Sequence, residues 1–417
     1  MFVKKIVHKS KVGLKTLRRE GFLSFVILGL RFTEKMLLRH TKQNSSKHLI
    51  DTKVKYSDAL AADYTIQRPK WPGTIKKQLV FNWIMPPPGK GSGGHLNIFR
   101  FIKYLEDAGH TNRIYIYTQH KPGKISDIRL LMGDSYPELN ATMEWIDSGD
   151  EMPSADGIFA TSWETAYASF NSKSEGKRFY FVQDFEPYFY AVGSLSVLAE
   201  NSYKFGFYGV TAGNWLATKL KRDYNMETDH FDFGSDANLY SFTNDQPRRE
   251  IFFYARPFTE RRGFEMGIMA LDLFHQKHPE YIINFAGWNV SNYEIPFPYN
   301  NLKTLELDQL NGLYNQCAAG LVMSFTNMSL LPLELLGSGA IPVVNDGENN
   351  VLVSNNPYIA YSAPNPVALA DALSEVVTRR DQVTYAKKAS ASVKMNGWDD
   401  SGAKFVKIVE RETRKHE

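Results

Sequence analysis

The chain has 417 residues, 43% of them apolar and 23% charged, and 49 Lys plus Arg against 45 Asp plus Glu leave a formal charge of +4. That length allows two or three domains with sizeable cores, and the composition is that of a soluble globular protein. The single cysteine, Cys317, excludes an intramolecular disulfide and a multi-cysteine metal site, and it favours a reducing, cytoplasmic compartment.

The charge is unevenly placed. Residues 1–47 hold twelve Lys or Arg against Glu20 and Glu34, around an apolar run from Gly21 to Leu30. A run of that length is too short to cross a bilayer, which needs about twenty residues, and no signal-peptide cleavage pattern follows it. Two placements fit. Such a segment could lie in the interface of an anionic leaflet, each basic residue adding about 1 kcal/mol, which would make the protein peripheral at the inner face of the cell membrane. Alternatively it is a helical arm packed on the protein's own body or on a second copy, as in a homodimer. No pattern of a nucleic-acid module follows. Residues 41–77 read as a polar linker, so 1–77 is taken as arm plus linker.

A first core strand is expected over 78–84. The glycine-rich run Gly89, Gly91, Gly93 and Gly94 follows, and then a helix with Ile98, Phe101, Ile102 and Leu105 on one face. The glycines fit G-x-G-x-x-G, but three prolines intervene, and the strand over 113–117 runs into Thr118-Gln119-His120 without the ribose-binding acid of a dinucleotide fold. That argues against a nicotinamide-dependent oxidoreductase and for an open loop over a cleft. Further strands are expected at 157–160, 179–182 and 206–211, alternating with helices, as in a parallel sheet that places ligands at its C-terminal strand ends. Asp184 and Glu186 follow one such end, so their carboxylates are expected in the crevice, with the chemistry to bind or deprotonate a hydroxyl. The alternative is that Glu186 caps a helix and Asp184 is solvated. A second α/β unit starts at Glu250, with strands expected at 250–255, 281–287 and 301–305. Leu310, Leu313, Tyr314 and Cys317 read as a helix face, which makes Cys317 a core residue.

The most informative stretch is 323–345, MSFTNMSLLPLELLGSGAIPVVN. Apolar strands at 320–325 and 341–344 flank a brief helix whose Pro332 is tolerated only in the first turn and whose stop is Gly337 and Gly339. The amides of Ser329, Leu330 and Leu331 are therefore expected to be unpaired and aimed at an anion. Glu334, one turn in, would accept hydroxyl hydrogen bonds. Amides for a diphosphate and a carboxylate for a ribose describe a nucleotide-sugar site.

These residues resemble the donor-site signature of glycosyltransferase family 4. Glu334 and the Gly339-to-Val343 run match it, while Thr326 stands where the family's first glutamate contacts the donor sugar. The run 256–263, with Arg256, Arg261, Arg262 and Gly263, resembles the family's diphosphate clamp, and Gly234 with Asp236 resembles its crossing between domains. Trp398 resembles the aromatic that begins its last helix. The resemblance implies a GT-B fold, two Rossmann-like α/β domains over 78–243 and 248–394 facing across a cleft, with 395–417 returning to the first. It also implies roles: Gly93 and Gly94 face acceptor and donor phosphates, Gly234 belongs to the donor site, Lys303 lies by the base, and Arg256, Arg261 and Arg262 hold the diphosphate. Within the family the chain is most similar to bacterial rhamnosyltransferases of S-layer glycan assembly, which implies dTDP-β-L-rhamnose as donor and a growing, lipid-linked polyrhamnan as acceptor. Retention at the anomeric carbon without a metal or other cofactor is expected, and the chain has no Asp-x-Asp motif. Other UDP- or GDP-sugars, and a non-catalytic membrane-associated scaffold, remain open.

Overall fold

The structure, a computed structural model, describes residues 52–66, 70–89, 92–119, 123–133, 136–393 and 397–416. Residues Lys53–Glu417 form one compact unit. The basic arm expected over 1–47, together with Lys90, Gly91 and His120, lies outside the described residues.

Two parallel sheets carry the architecture. The first joins β1 (Val80–Met85), β2 (Thr111–Ile116), β3 (Thr142–Trp145), β4 (Gly157–Ala160), β5 (Lys177–Val182), β6 (Tyr208–Ala212) and β7 (Thr228–Phe231) in the order 3-2-1-4-5-6-7. The second joins β8 (Glu250–Tyr254), β9 (Ile282–Ala286), β10 (Asn300–Lys303), β11 (Cys317–Val322), β12 (Ile341–Asn345) and β13 (Ala360–Ser362) in the order 10-9-8-11-12-13. In both, the chain starts at a central strand, builds outward, then crosses back to build the other way. Such an order leaves a crevice where the direction reverses, between β1 and β4 in one sheet and between β8 and β11 in the other.

The strands read from apolar runs are all present, because strands buried on both faces are continuous apolar stretches. Strands β3, β7 and β13 lack that signal. They lie at sheet edges, and TMEW, TDHF and AYS are short and half polar. Cys317 departs from its expected place on a helix: the helix ends at Tyr314, and Cys317, fully buried, opens β11.

The described part of the expected linker is not one. Val54 is buried, helix Tyr56–Ala61 follows it, and Asn171 Nδ2 donates to Asp58 O at 2.9 Å. Farther on, Trp71 Nε1 donates to Thr413 O at 2.7 Å. Polar composition misled here because the segment attaches through a few anchor residues rather than an apolar face.

The last helix, Trp398–Arg414, packs on the first domain, as the resemblance implies. Phe405 is fully buried against Phe101, with ring centroids 4.7 Å apart, and near Phe181 and Phe159. Gly402 lets it sit close, since a Cβ there would come within 2.5 Å of the Tyr104 ring. Replacing Phe405 by Ala is expected to destabilise the protein by about 3–5 kcal/mol, the cost of an aromatic-sized core cavity. Urea unfolding followed by tryptophan fluorescence measures it.

Candidate functional site

The site is built where the C-terminal strand ends of the two sheets meet. From the second sheet come residues 255–263 after β8 and 323–330 after β11, the two strands that bound its crevice. Tight local structure fixes both loops. Gly263 has φ +57 at the start of helix Phe264–Lys277, and a Cβ there would lie 2.8 Å from Phe325, so glycine is required on both counts. Phe325 N in turn donates to Arg261 O at 2.9 Å, which ties the loops together.

The arginines converge. Arg262 is half-buried, and its Nη1 donates to Ser324 Oγ at 2.8 Å. Burial pushes its pKa below the usual arginine value, with the charges of Asp184, Arg261, Tyr254 and Arg256 also acting on it. Arg256 Nη1 donates to Gly287 O at 3.3 Å. Arg261 lies over the Phe189 ring, 4.1 Å from its centroid, with Nε 3.6 Å from Asp184 Oδ2. Among the described residues, this contact with Asp184 is the only ion pair any of the three makes. Three guanidinium groups against one carboxylate leave net positive charge in a partly desolvated crevice, and such a crevice favours an anion.

The helix after the second loop runs Leu331–Gly337, with Pro332 in its first turn. Among the described residues the amides of Ser329, Leu330 and Leu331 have no acceptor, and Ser329 Oγ is buried without a partner. Glu334 is half-buried behind them, and burial pushes its carboxyl up to about 7, offset by a hydrogen bond from the Tyr240 hydroxyl. Tyr240 belongs to the crossing between the domains, so the crossing reaches the site through this side chain. Lys303 is exposed with φ +60, and its carbonyl accepts from Gly287 N at 2.7 Å, so Lys303 and Arg256 flank the same turn. On the other side of the cleft, Gly93 opens helix Gly93–Asp107 with nothing near it, and Gly94 O accepts from Gln183 Nε2 at 3.0 Å.

Three residues depart from their expected places. Glu186 is buried and turned inward: its Oε2 accepts from Trp163 N at 2.6 Å, capping helix Trp163–Asn171, and from Tyr180 Oη at 3.4 Å. Burial and the nearby Glu164 raise its pKa above the ordinary carboxylate value, and its contacts with Trp163 and Tyr180 keep it out of the crevice. Gly234 is buried against Trp398, whose ring a Cβ would meet at 2.8 Å, so it serves packing and not the donor. Thr326 is buried, with its hydroxyl committed to Asp184 Oδ2 at 3.0 Å. Ser324, Asn327 and Tyr240 were missed. Small polar residues in a loop carry no periodicity, and only their place right after an apolar strand marks Ser324 and Asn327.

Two facing Rossmann-type sheets with a charged cleft between their strand ends define a class, the GT-B architecture of glycosyltransferases. TarM matches with a TM-score of 0.62 at 8% identity, over 82% of this chain and 100% of that one. A mutant O-GlcNAc transferase from Thermobaculum terrenum matches at 0.56 and 10% identity, over 81% of this chain and 68% of that one. More particularly, residues 249–374 match the family model described as WsaF, C-terminal domain. The O-antigen biosynthesis protein RfbC of Myxococcus xanthus is 30% identical over 336 residues, 76% of this chain and 26% of that protein. The chain thus spans about a quarter of the length of this curated relative.

The Glu334 shift has a stability consequence. Its folded pKa of about 7 lies above the ordinary 4.5, so the fold prefers the protonated acid. Stability from this group is therefore full below pH 4.5 and is lost as pH rises from there through about 7. Glu334→Gln is expected to flatten that part of the stability profile, read by denaturant unfolding at pH 5 to 8.

Proposed function

We propose that the protein is a glycosyltransferase of surface-polysaccharide assembly that moves a sugar from a nucleoside diphosphate to a glycan acceptor. The observation that carries this is that the loop after β8 bearing Arg256, Arg261 and Arg262 is tied to the loop after β11 that leads into the unpaired amides of 329–331, at the β8/β11 crevice. Cations and amide donors fixed in place stabilise charge as it develops on a leaving diphosphate. Arginine suits this task, since its planar fork grips phosphate oxygens in pairs. Glu334, just behind the amides, accepts the ribose hydroxyls. The likeness to the WsaF C-terminal domain and to the O-antigen protein RfbC supports a polysaccharide acceptor.

In the reaction proposed, the bond from the anomeric carbon to the diphosphate oxygen breaks and a bond to the acceptor oxygen forms on the same face. The acceptor proton passes to the departing diphosphate oxygen, so configuration is retained without a protein base. This fits a cleft in which Glu186 is turned away and the Asp184 oxygens are already engaged. The arginines and amides carry the charge stabilisation that a divalent metal would otherwise provide. The finer proposal is dTDP-β-L-rhamnose as donor and a growing, lipid-linked polyrhamnan as acceptor, resting on the likeness to the WsaF domain. Thr326, tied to Asp184, stands where the family's first glutamate contacts the donor sugar, and a threonine there is compatible with a 6-deoxy sugar of L configuration.

Calorimetric titration with dTDP, UDP and GDP without added metal tests the reading. Tightest binding of dTDP supports the rhamnose donor, preference for UDP or GDP replaces the sugar, and binding of none of them overturns the function. Transfer is expected to persist in chelator. Glu334→Ala is expected to weaken nucleotide binding by about 1.5–3 kcal/mol, the worth of hydrogen bonds to a charged group, and an unchanged affinity would remove it from the site.

A further inference from the structure

Asp184 lies at the strand ends of the first domain, yet its partners come mostly from the second. Its Oδ1 accepts from Asn327 N at 2.8 Å and from its own neighbour Phe185 N at 2.8 Å. Its Oδ2 accepts from Thr326 Oγ1 at 3.0 Å and faces Arg261 Nε at 3.6 Å. Three hydrogen bonds and one ion-pair contact thus engage the carboxylate, which offers about four acceptor directions. Asn327 returns the grip: its Nδ2 donates to Gln183 O and Ala212 O, both at 2.9 Å, at the ends of β5 and β6. The loop so held is the one in which Ser324 Oγ receives Arg262 and donates to Asn327 O at 2.8 Å. Arg261 is itself sandwiched between two first-domain groups, Phe189 and Asp184.

We propose that Asp184 and Asn327 form an interdomain clasp that positions the 323–330 loop and Arg261, so that the anion-binding cluster is complete only when the domains are closed on each other. Asp184 is then a positioning residue and not the acceptor's base. The inference rests on the nucleoside-diphosphate reading of the cluster. Its energetic logic is that of a two-state site: where only a fraction of molecules is competent, apparent affinity falls by that fraction. The donors are main-chain or neutral groups apart from Arg261, so the isosteric Asn can keep the Asn327 amide bond while removing the charge.

The test uses the full chain and compares wild type with Asp184→Ala, Asp184→Asn, Asn327→Ala and the double alanine variant. It reads dTDP and UDP affinity by calorimetry, kcat and KM for transfer with its pH profile, and melting temperature. Asp184→Ala and Asn327→Ala are each expected to weaken nucleotide binding by about tenfold or more, the factor set by the lost competent fraction. Because the residues act on one clasp, the double variant should be little worse than the weaker-binding single. Asp184→Asn should recover most of the affinity and keep kcat within about tenfold, with the same pH profile. Unchanged nucleotide affinity in Asp184→Ala and Asn327→Ala overturns the proposal. So does an Asp184→Asn enzyme that binds nucleotide normally but loses transfer and the acidic limb of its pH profile, since that marks a base. Should Asp184→Ala fail to fold, Asn327→Ala and Asp184→Asn decide alone. Failure of the wild type to bind any nucleoside diphosphate overturns the function instead, a result distinct from either.

Discussion

Three guanidinium groups in one crevice with a single carboxylate among them form an electrostatically unfinished arrangement, and much of the structure around the cleft exists to hold it. Arginine cannot shed its proton to escape the repulsion, because even a lowered pKa stays far above neutrality. The protein must therefore fix the cations with neutral acceptors. Ser324 Oγ, the Gly287 carbonyl and the Phe189 face do this without cancelling charge. An arrangement that cancelled the charge would leave nothing for an incoming anion to complete.

The crossing between the domains takes part in the same economy of charge. Tyr240 gives Glu334 one hydrogen bond in a setting that otherwise disfavours its ionised form, and so holds the carboxyl near the point where a ligand or a cation can tip its state. A diphosphate bound at the amides would disfavour the anion, while hydroxyl donors would favour it.

The central strands, the second-domain loop 323–345 and the clamp segment 256–263 were legible because each combines an apolar run with residues whose backbone demands are unusual: Pro332, Gly263 and Gly339. Edge strands such as β3 and β7 were not, since a strand that faces water on one side and ends after four residues leaves no pattern to read. At the site, the family resemblance pointed to the arginines and the helix start pointed to Glu334, while the reading from the strand end misplaced Glu186. A glutamate four residues past a strand end points into a crevice only if no helix terminus lies nearer, and here the Trp163 amide does. Gly234 carried a similar ambiguity, because the same bare backbone suits a ligand or an indole, and the indole of Trp398 arrives from residues far along the chain.

The position of helix Trp398–Arg414 also bears on how the protein is made. Phe405 fills the first domain's core beside Phe101 and Phe181, yet the ribosome adds it only after the whole second sheet. At typical synthesis rates the first sheet, complete at Phe231, waits roughly ten to thirty seconds for its missing aromatic ring. During that interval the rings of Phe101 and Phe181 that Phe405 covers lack that cover. The second domain, whose strands and helices are contiguous, is free to fold first.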